Sequence, residues 1–157
     1  MIMAGNFENQ QIEICQVQKV TDELAEGFVR LIPQLTKTKP VPDKRVLEEI
    51  VAAPNSVQLT ACDPKMDGKI VVGVLTLVFY RIPTALRSRI EDLVVDQNYR
   101  GRGIGGALIN YAIKEAAQKG ALSVDLTSNP SRREANRLYK SIGFKKRLTN
   151  LYRYQLT

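Results

Sequence analysis

Apolar positions recur along this chain with two different periods, and the changes between them mark out its elements. Over residues 11–18 alternate positions are apolar, with Ile12 and Ile14 on one side, as in a half-buried strand. Helical spacing follows. Leu24, Phe28, Leu31 and Ile32 share a face behind Thr21, whose hydroxyl can cap a helix with Asp22 and Glu23 in its first turn and Pro33 as its expected stop. Val46, Leu47, Ile50 and Val51 repeat the spacing between Asp43 and Pro54-Asn55. The period then falls to two. Residues 57–62 and 70–80 read as a hairpin about the turn 63–68, and 89–95 as a further strand after a loop at 82–88. A Gly-rich turn at 100–106 opens a helix with Ile104, Leu108, Tyr111 and Ala112 on its stripe, ending at Lys119-Gly120. After a strand at 122–127, Ser131-Arg132-Arg133-Glu134 has the form of a capping box. The helix it starts carries Ala135, Leu138, Tyr139 and Ile142 on one face and stops at Gly143. Strands at 144–148 and 151–156 complete the order βααβββαβαββ, which predicts an α/β (α+β) fold: a mixed, mostly antiparallel central sheet of about seven strands flanked by four helices. The expected organisation is a polar tail, 1–10, followed by one domain, 11–157.

Composition narrows the chemistry more than the fold. The 157 residues are 44% apolar and 25% charged, enough to build a core without disulfide or metal staples. There is no histidine, which removes Ser-His-Asp and Cys-His nucleophile systems and most zinc sites. Cys15 and Cys62, 47 residues apart, suit neither a disulfide framework nor a metal spacing, so no metal is expected. Carboxylates, tyrosines, lysines, backbone amides or a borrowed cofactor must do the work. Charge is uneven: residues 100–157 hold twelve Lys/Arg against three Asp/Glu, a net +9, while residues 1–99 are net −2. A basic third implies an anionic partner, whether a phosphorylated cofactor, a nucleic acid or an acidic surface. No apolar run reaches the ~20 residues of a membrane helix and no signal peptide is evident, so a cytoplasmic protein without membrane association is expected.

The turn Arg100-Gly101-Arg102-Gly103-Ile104-Gly105-Gly106 lies between a strand and a helix, where missing Cβ atoms let backbone amides approach an anion at a helix N-terminus. Two arginines there oppose the helix dipole unless an anion compensates them. Gly101, Gly103 and Gly106 also fit G-x-G-x-x-G, with Asp125 placed as a ribose acid, so a dinucleotide fold is a rival. Only 32 residues follow Asp125, too few for the further parallel βα units that fold needs, and the preceding strands form hairpins.

These residues resemble the GNAT superfamily of acyl-CoA N-acyltransferases. Arg100-Gly101-Arg102-Gly103-Ile104-Gly105 matches its R/Q-x-x-G-x-G/A motif behind the strand Glu91-Asp92-Leu93-Val94-Val95-Asp96, and Leu138-Tyr139-Lys140-Ser141-Ile142-Gly143-Phe144 matches its L-Y-x-x-x-G-F ending. The resemblance implies an N-acetyltransferase that moves an acetyl group from acetyl-CoA to a small-molecule primary amine by direct attack in a ternary complex. It implies pyrophosphate binding by the turn from Arg100 and Gly101 through Arg102, Gly103, Ile104 and Gly105 to Gly106. It also implies pairing of the pantetheine arm with Leu93, Val94 and Val95, and protonation of the leaving thiolate by Tyr139. Glu91 or Asp92 would take the amine proton; neighbours on a strand point to opposite faces, so at most one faces the site unless a bulge intervenes, and Glu91 is narrowly favoured.

Two positions depart from the family pattern. Arg132 stands where many members have an asparagine seven residues before the tyrosine, leaving Arg132, Arg133 or Asn136 as candidates for that coenzyme contact, and Thr127 stands where some relatives have a catalytic Glu. Arg137 and Lys140 are candidates for the adenosine 3′-phosphate. The loop 82–88 and the helix around Val46 line the acceptor side by analogy with the family. Arg81, Arg87 and Arg89 there suggest an acidic or phosphorylated amine, whereas Glu91 and Asp92 suggest a cationic one. The alternative from another class is a non-catalytic module that binds nucleic acid or senses CoA; few aromatics interleave the basic third, so nucleic acid is not the expected partner. A homodimer through the last strands stays open.

Overall fold

The computed structural model describes residues 12–64 and 69–156, which divide into two compact units, one up to Leu126 and the other from Thr127. The expected tail 1–10 and the centre of the turn 63–68 lie outside the described residues.

The first unit is a five-stranded sheet in the order β1-β2-β3-β4-β5, formed by β1 (Glu13–Gln16), β2 (Ser56–Asp63), β3 (Ile70–Ile82), β4 (Ala85–Val95) and β5 (Val124–Asp125). The first three pairings are antiparallel and the last is parallel. This sequential, mostly antiparallel order removes the dinucleotide reading of the glycines, which requires a parallel doubly wound sheet. The fold class is the expected mixed α/β sheet with flanking helices. α1 (Asp22–Leu35) and α2 (Lys44–Ala52) cover one face, where Leu24, Phe28, Leu31 and Leu47 pack with Cys62, Val71, Val74 and Val94. α3 (Ile104–Gln118) covers the other, with Leu108 against Gly73.

Local chemistry explains the helix starts. The Leu24 amide donates to Thr21 Oγ1 and the Val46 amide to Asp43 Oδ1, each satisfying one of the orphan donors of a first turn. Pro33 does not end α1, which runs on to Leu35. A proline in the last turn deprives one carbonyl of a partner, that of Val29, and Val29 is exposed, so water can replace the bond.

Three further expectations are corrected. The loop 82–88 shrinks to the turn Pro83-Thr84, because β3 and β4 stay paired from Arg81↔Leu86 and Ile82↔Ala85 onward. The strand at 122–127 is only Val124–Asp125. The sheet has five strands and not seven: residues 145–156 form no strand, and Leu148, Leu151, Tyr152, Tyr154 and Leu156 are all exposed. A strand is stable only against a neighbour, and the run Lys145-Lys146-Arg147 opposes close packing of the segment that would supply one.

The second unit contains α4 (Arg133–Ile142), whose apolar positions recur as expected. Its start is not the expected capping box. Ser131 donates its own amide to Asn129 Oδ1, and the N-cap Arg132 makes no side-chain cap bond. Asn136 ties the start down from within the helix instead, its Nδ2 donating to the carbonyls of Asn129 and Arg132 without capping the first amides.

Candidate active site

The ladder between β3 and β4 slips once. Val74 pairs with Val94 and Thr76 with Glu91, so Asp92 and Leu93 together oppose the single residue Leu75. This is a β-bulge, and its first residue carries the strain: Asp92 has φ 49, the sole positive value at a non-glycine among the described residues. Aspartate tolerates that conformation better than most side chains because its short polar group can bond locally. Beyond Arg89↔Asp125 no ladder pair joins β4 to β5, so the outer edge of β4 from Ile90 to Val95 is left open by β5. The backbone of Leu93, Val94 and Val95 lies on that stretch.

Immediately after β4 the chain makes a 3-10 turn, Gln97–Tyr99, and enters the Gly-rich turn. Gly101 and Gly103 have φ 76 and φ 77, and a Cβ at either would meet nothing within 4 Å. Glycine is therefore required by backbone conformation and not by crowding, and the space above the turn is open. Gly103 is the N-cap of α3 without a side-chain cap, which leaves the first amides of the helix, from Ile104, Gly105 and Gly106, to an external acceptor. A diphosphate fits such a cradle. Gly103→Val forces a β-branched residue into the left-handed region and places its side chain in the open space. The expected result is a loss of acetyl-CoA affinity of about tenfold or more, measured by calorimetry.

Several side chains that the sequence reading passed over hold this turn. Arg30 on α1 donates to the Val71 carbonyl at 2.6 Å and lies 3.9 Å from the buried carboxylate of Asp96, which itself accepts from the Asn98 amide. Gln34 Oε1 accepts from the Gln97 amide, and Tyr99 donates to Asp63 Oδ2. Arg100 donates to the Val95 carbonyl, while Arg102 donates to the Asn98 carbonyl and lies 4.8 Å over the Tyr99 ring. The two arginines of the motif are thus anchored beside the turn. Gln58 is also missed by periodicity. Buried at 3% exposure, it accepts from Thr76 and donates to the carbonyl of Leu75, the residue opposite the bulge. A glutamine inside an apolar strand is the signal that marks it.

The two neighbouring carboxylates differ in environment. Glu91 is in an ion pair with Arg89. Asp92 makes no such pair among the described residues; partial enclosure pushes its carboxyl above the usual range, with a smaller contribution from the Glu91 charge, although it retains solvent access. In the second unit Tyr139 is buried and meets Phe144 edge-on at 6.1 Å. Burial raises its phenol, and Arg132 opposes that shift.

A cavity of about 400 Å³ lies elsewhere, at the other edge of the sheet between β1, β2 and the start of α1, with Cys15, Thr60, Cys62 and Leu24 in its lining. β2 and β3 separate β1 from β4. The Cys62 thiol there is pushed up by burial and is a poor nucleophile. Among the described residues no group of three or more His, Cys, Asp or Glu side chains could hold a metal ion, and no helix is long and apolar enough to cross a membrane.

The family model described as the acetyltransferase (GNAT) family matches residues 21–144. An aminoalkylphosphonate N-acetyltransferase of Salmonella typhimurium is 29% identical over 140 residues, covering 84% of this chain and 86% of its own. A glucosamine 6-phosphate N-acetyltransferase of Arabidopsis thaliana is 28% identical over 130 residues, covering 79% and 82%. Among solved structures, an aminoglycoside acetyltransferase from an uncultured soil metagenomic sample shares the fold with a TM-score of 0.78 at 22% identity, over 96% of this chain and 99% of that one.

Proposed function

The chain belongs to the acetyltransferase (GNAT) family and transfers an acetyl group from acetyl-CoA to an amine; from that premise we propose that the acceptor is a small primary amine, attacked directly while both substrates are bound. The observation that carries this reading is the bulge at Asp92 and Leu93, which places a strained carboxylate on the strand that leads into the Gly-rich turn. Acetyl-CoA supplies an activated thioester. The turn from Arg100 to Gly106 holds its diphosphate on backbone amides, and the open edge of β4 along Leu93, Val94 and Val95, where the Val95 carbonyl already accepts from Arg100, offers its remaining outward backbone groups to its amide-bearing arm.

The proton inventory then falls on this chain. As the amine nitrogen bonds to the thioester carbon, Asp92 accepts the proton the nitrogen must lose; a carboxyl raised above its usual range by enclosure is a better base, when ionised, than an ordinary one. An amide on β4 donates to the carbonyl oxygen as negative charge builds there. When the carbon–sulfur bond breaks, Tyr139 donates its phenolic proton to the thiolate, a role that rests on the motif 138–144. Burial keeps that phenol protonated across the working range. Solvent restores both groups. Glu91, tied to Arg89, is a positioning residue in this scheme. Asn136 is proposed as a brace of the start of α4, since its Nδ2 donates to two backbone carbonyls there.

Calorimetric titration with acetyl-CoA, with NAD as the control, followed by mass spectrometry of a mixed amine panel, tests the whole. Micromolar acetyl-CoA binding with acetylation of a small amine is the expected result; binding with no product from any amine would leave only a CoA sensor. Tyr139→Phe is expected to lower kcat by on the order of 100-fold with the KM for acetyl-CoA unchanged, because the lost hydroxyl acts after binding. Unchanged turnover in this variant would remove Tyr139 from the acid role.

A further inference from the structure

The strand pair β3–β4 has one covered face and one open one beyond the reach of the α1 core. On the covered side Leu75, Leu77, Phe79, Ser88 and Ile90 are buried. On the other, the register pairs Thr76 with Glu91, Val78 with Arg89 and Tyr80 with Arg87, and these side chains are half-buried or exposed. The alternation that puts Arg87, Arg89 and Glu91 together sends Arg81 to the opposite face. The three arginines that the sequence groups are therefore two.

The pairing of Arg89 with Glu91 settles the conflict between those cations and the neighbouring carboxylates. Glu91 is neutralised by its neighbour two residues away and is not available to attract a polycation. Arg87 then supplies the net positive charge of this face, beside the Arg89 guanidinium that is shared with Glu91, and Asp92 is exposed in the bulge that follows Glu91 along the strand. Residues two apart on a strand are separated by about 7 Å, close enough for a tetrahedral dianion to reach both guanidinium groups. Tyr80 and Thr76 lie across from Arg87 and Glu91, and the Thr76 hydroxyl is already given to Gln58.

We propose that the acceptor is a zwitterionic amine whose phosphate or phosphonate group lies against Arg87 and Arg89 while its nitrogen faces Asp92. This deepens the acetyltransferase reading above and rests on it. The oxyanion then meets the net positive charge at Arg87 and the ammonium group meets Asp92, whereas a polyamine or an aminoglycoside would set a second ammonium group against Arg87. Guanidinium groups suit a phosphorus oxyanion because their planar forks donate in pairs.

Steady-state kinetics at saturating acetyl-CoA with matched acceptors tests this: phosphoethanolamine against ethanolamine, glucosamine 6-phosphate against glucosamine, and spermidine as the polycation. In at least one pair kcat/KM is expected to favour the phosphorylated member by about tenfold or more, chiefly through KM, with spermidine the poorest substrate. In Arg87→Ala that preference is expected to fall to within about threefold, and Arg87→Lys to keep part of it, while the KM for acetyl-CoA reports an intact cofactor site. Acetylation with no preference in either pair, or with spermidine preferred, overturns the anionic acceptor and leaves the acetyltransferase standing. Acetyl-CoA binding with no acetylation of any amine overturns the reading beneath both.

Discussion

Asp92→Asn is expected to lower kcat/KM by about 10²–10⁴-fold, the range lost when a positioned base is removed, and to leave the protein folded. Asparagine is nearly isosteric and, like aspartate, tolerates the left-handed backbone that position 92 adopts at φ 49, so the bulge should persist. The pH profile separates this from a general disturbance. In the parent enzyme Asp92 must be ionised to accept a proton, and its carboxyl titrates above the usual range because enclosure disfavours the charge. The acidic limb of kcat/KM should therefore lie higher than an unperturbed carboxylate would put it, and in the variant that limb should vanish, leaving only the titration of the amine. Stability should move the opposite way. A carboxyl raised in the folded state binds its proton more tightly there than in the unfolded chain. The fold consequently loses stability as pH rises from the unfolded to the folded pKa, and stays lower above it. Asparagine removes that penalty, so at neutral pH the variant should melt no lower than the parent. Glu91→Gln is the control, and a larger loss of activity there than at position 92 would reverse the assignment of the two carboxylates.

Most of the scaffold was legible because its signals are local. Thr21 and Asp43 cap the helices they precede, and the Gly-rich turn opens α3 where strand periodicity ends. The bulge was legible only as an option. Its mark is the burial pattern of β4, in which Ile90 and Val94 are buried while Glu91 and Asp92 are both exposed, so two consecutive positions fall on the solvent side. Period-two reading treats such a break as noise unless the partner strand is known, and Leu75 lies seventeen residues before Asp92. The same limit hid the supports of the turn. Arg30, Gln34 and Asp63 come from α1 and β2, and nothing in their own neighbourhoods relates them to residues 96–99. The two strands expected after α4 failed for a related reason. Alternation at 151–156 records a preference for pairing, and pairing depends on an edge that the sequence does not specify.

Gly27→Leu is expected to destabilise the fold by about 1–3 kcal/mol or more, the cost of overpacking a filled core, and Gly27→Ala to be destabilising as well. The sign for alanine is the informative part. In an exposed helix interior, replacing glycine by alanine gains about 1 kcal/mol of propensity. Here a Cβ at position 27 would stand 2.7 Å from Val71 Cβ, closer than real Cβ atoms come, and 3.0 Å from its Cγ1, a very tight contact. Val71 is not free to yield, because it is buried in the α1 core and its carbonyl accepts from Arg30 at 2.6 Å. Relief must come from α1 moving off the sheet. That movement would draw Arg30 away from Asp96 and Gln34 from the Gln97 amide, loosening the chain just before the Gly-rich turn. Thermal unfolding and acetyl-CoA titration should therefore fall together in Gly27→Ala, although Gly27 touches no substrate. Shortening the opposing side chain supplies the decisive comparison: Gly27→Ala combined with Val71→Ala should recover part of both losses, since the new methyl group then occupies space the valine gave up. If the two substitutions instead add as independent defects, the close approach of α1 to β3 is not what this glycine serves.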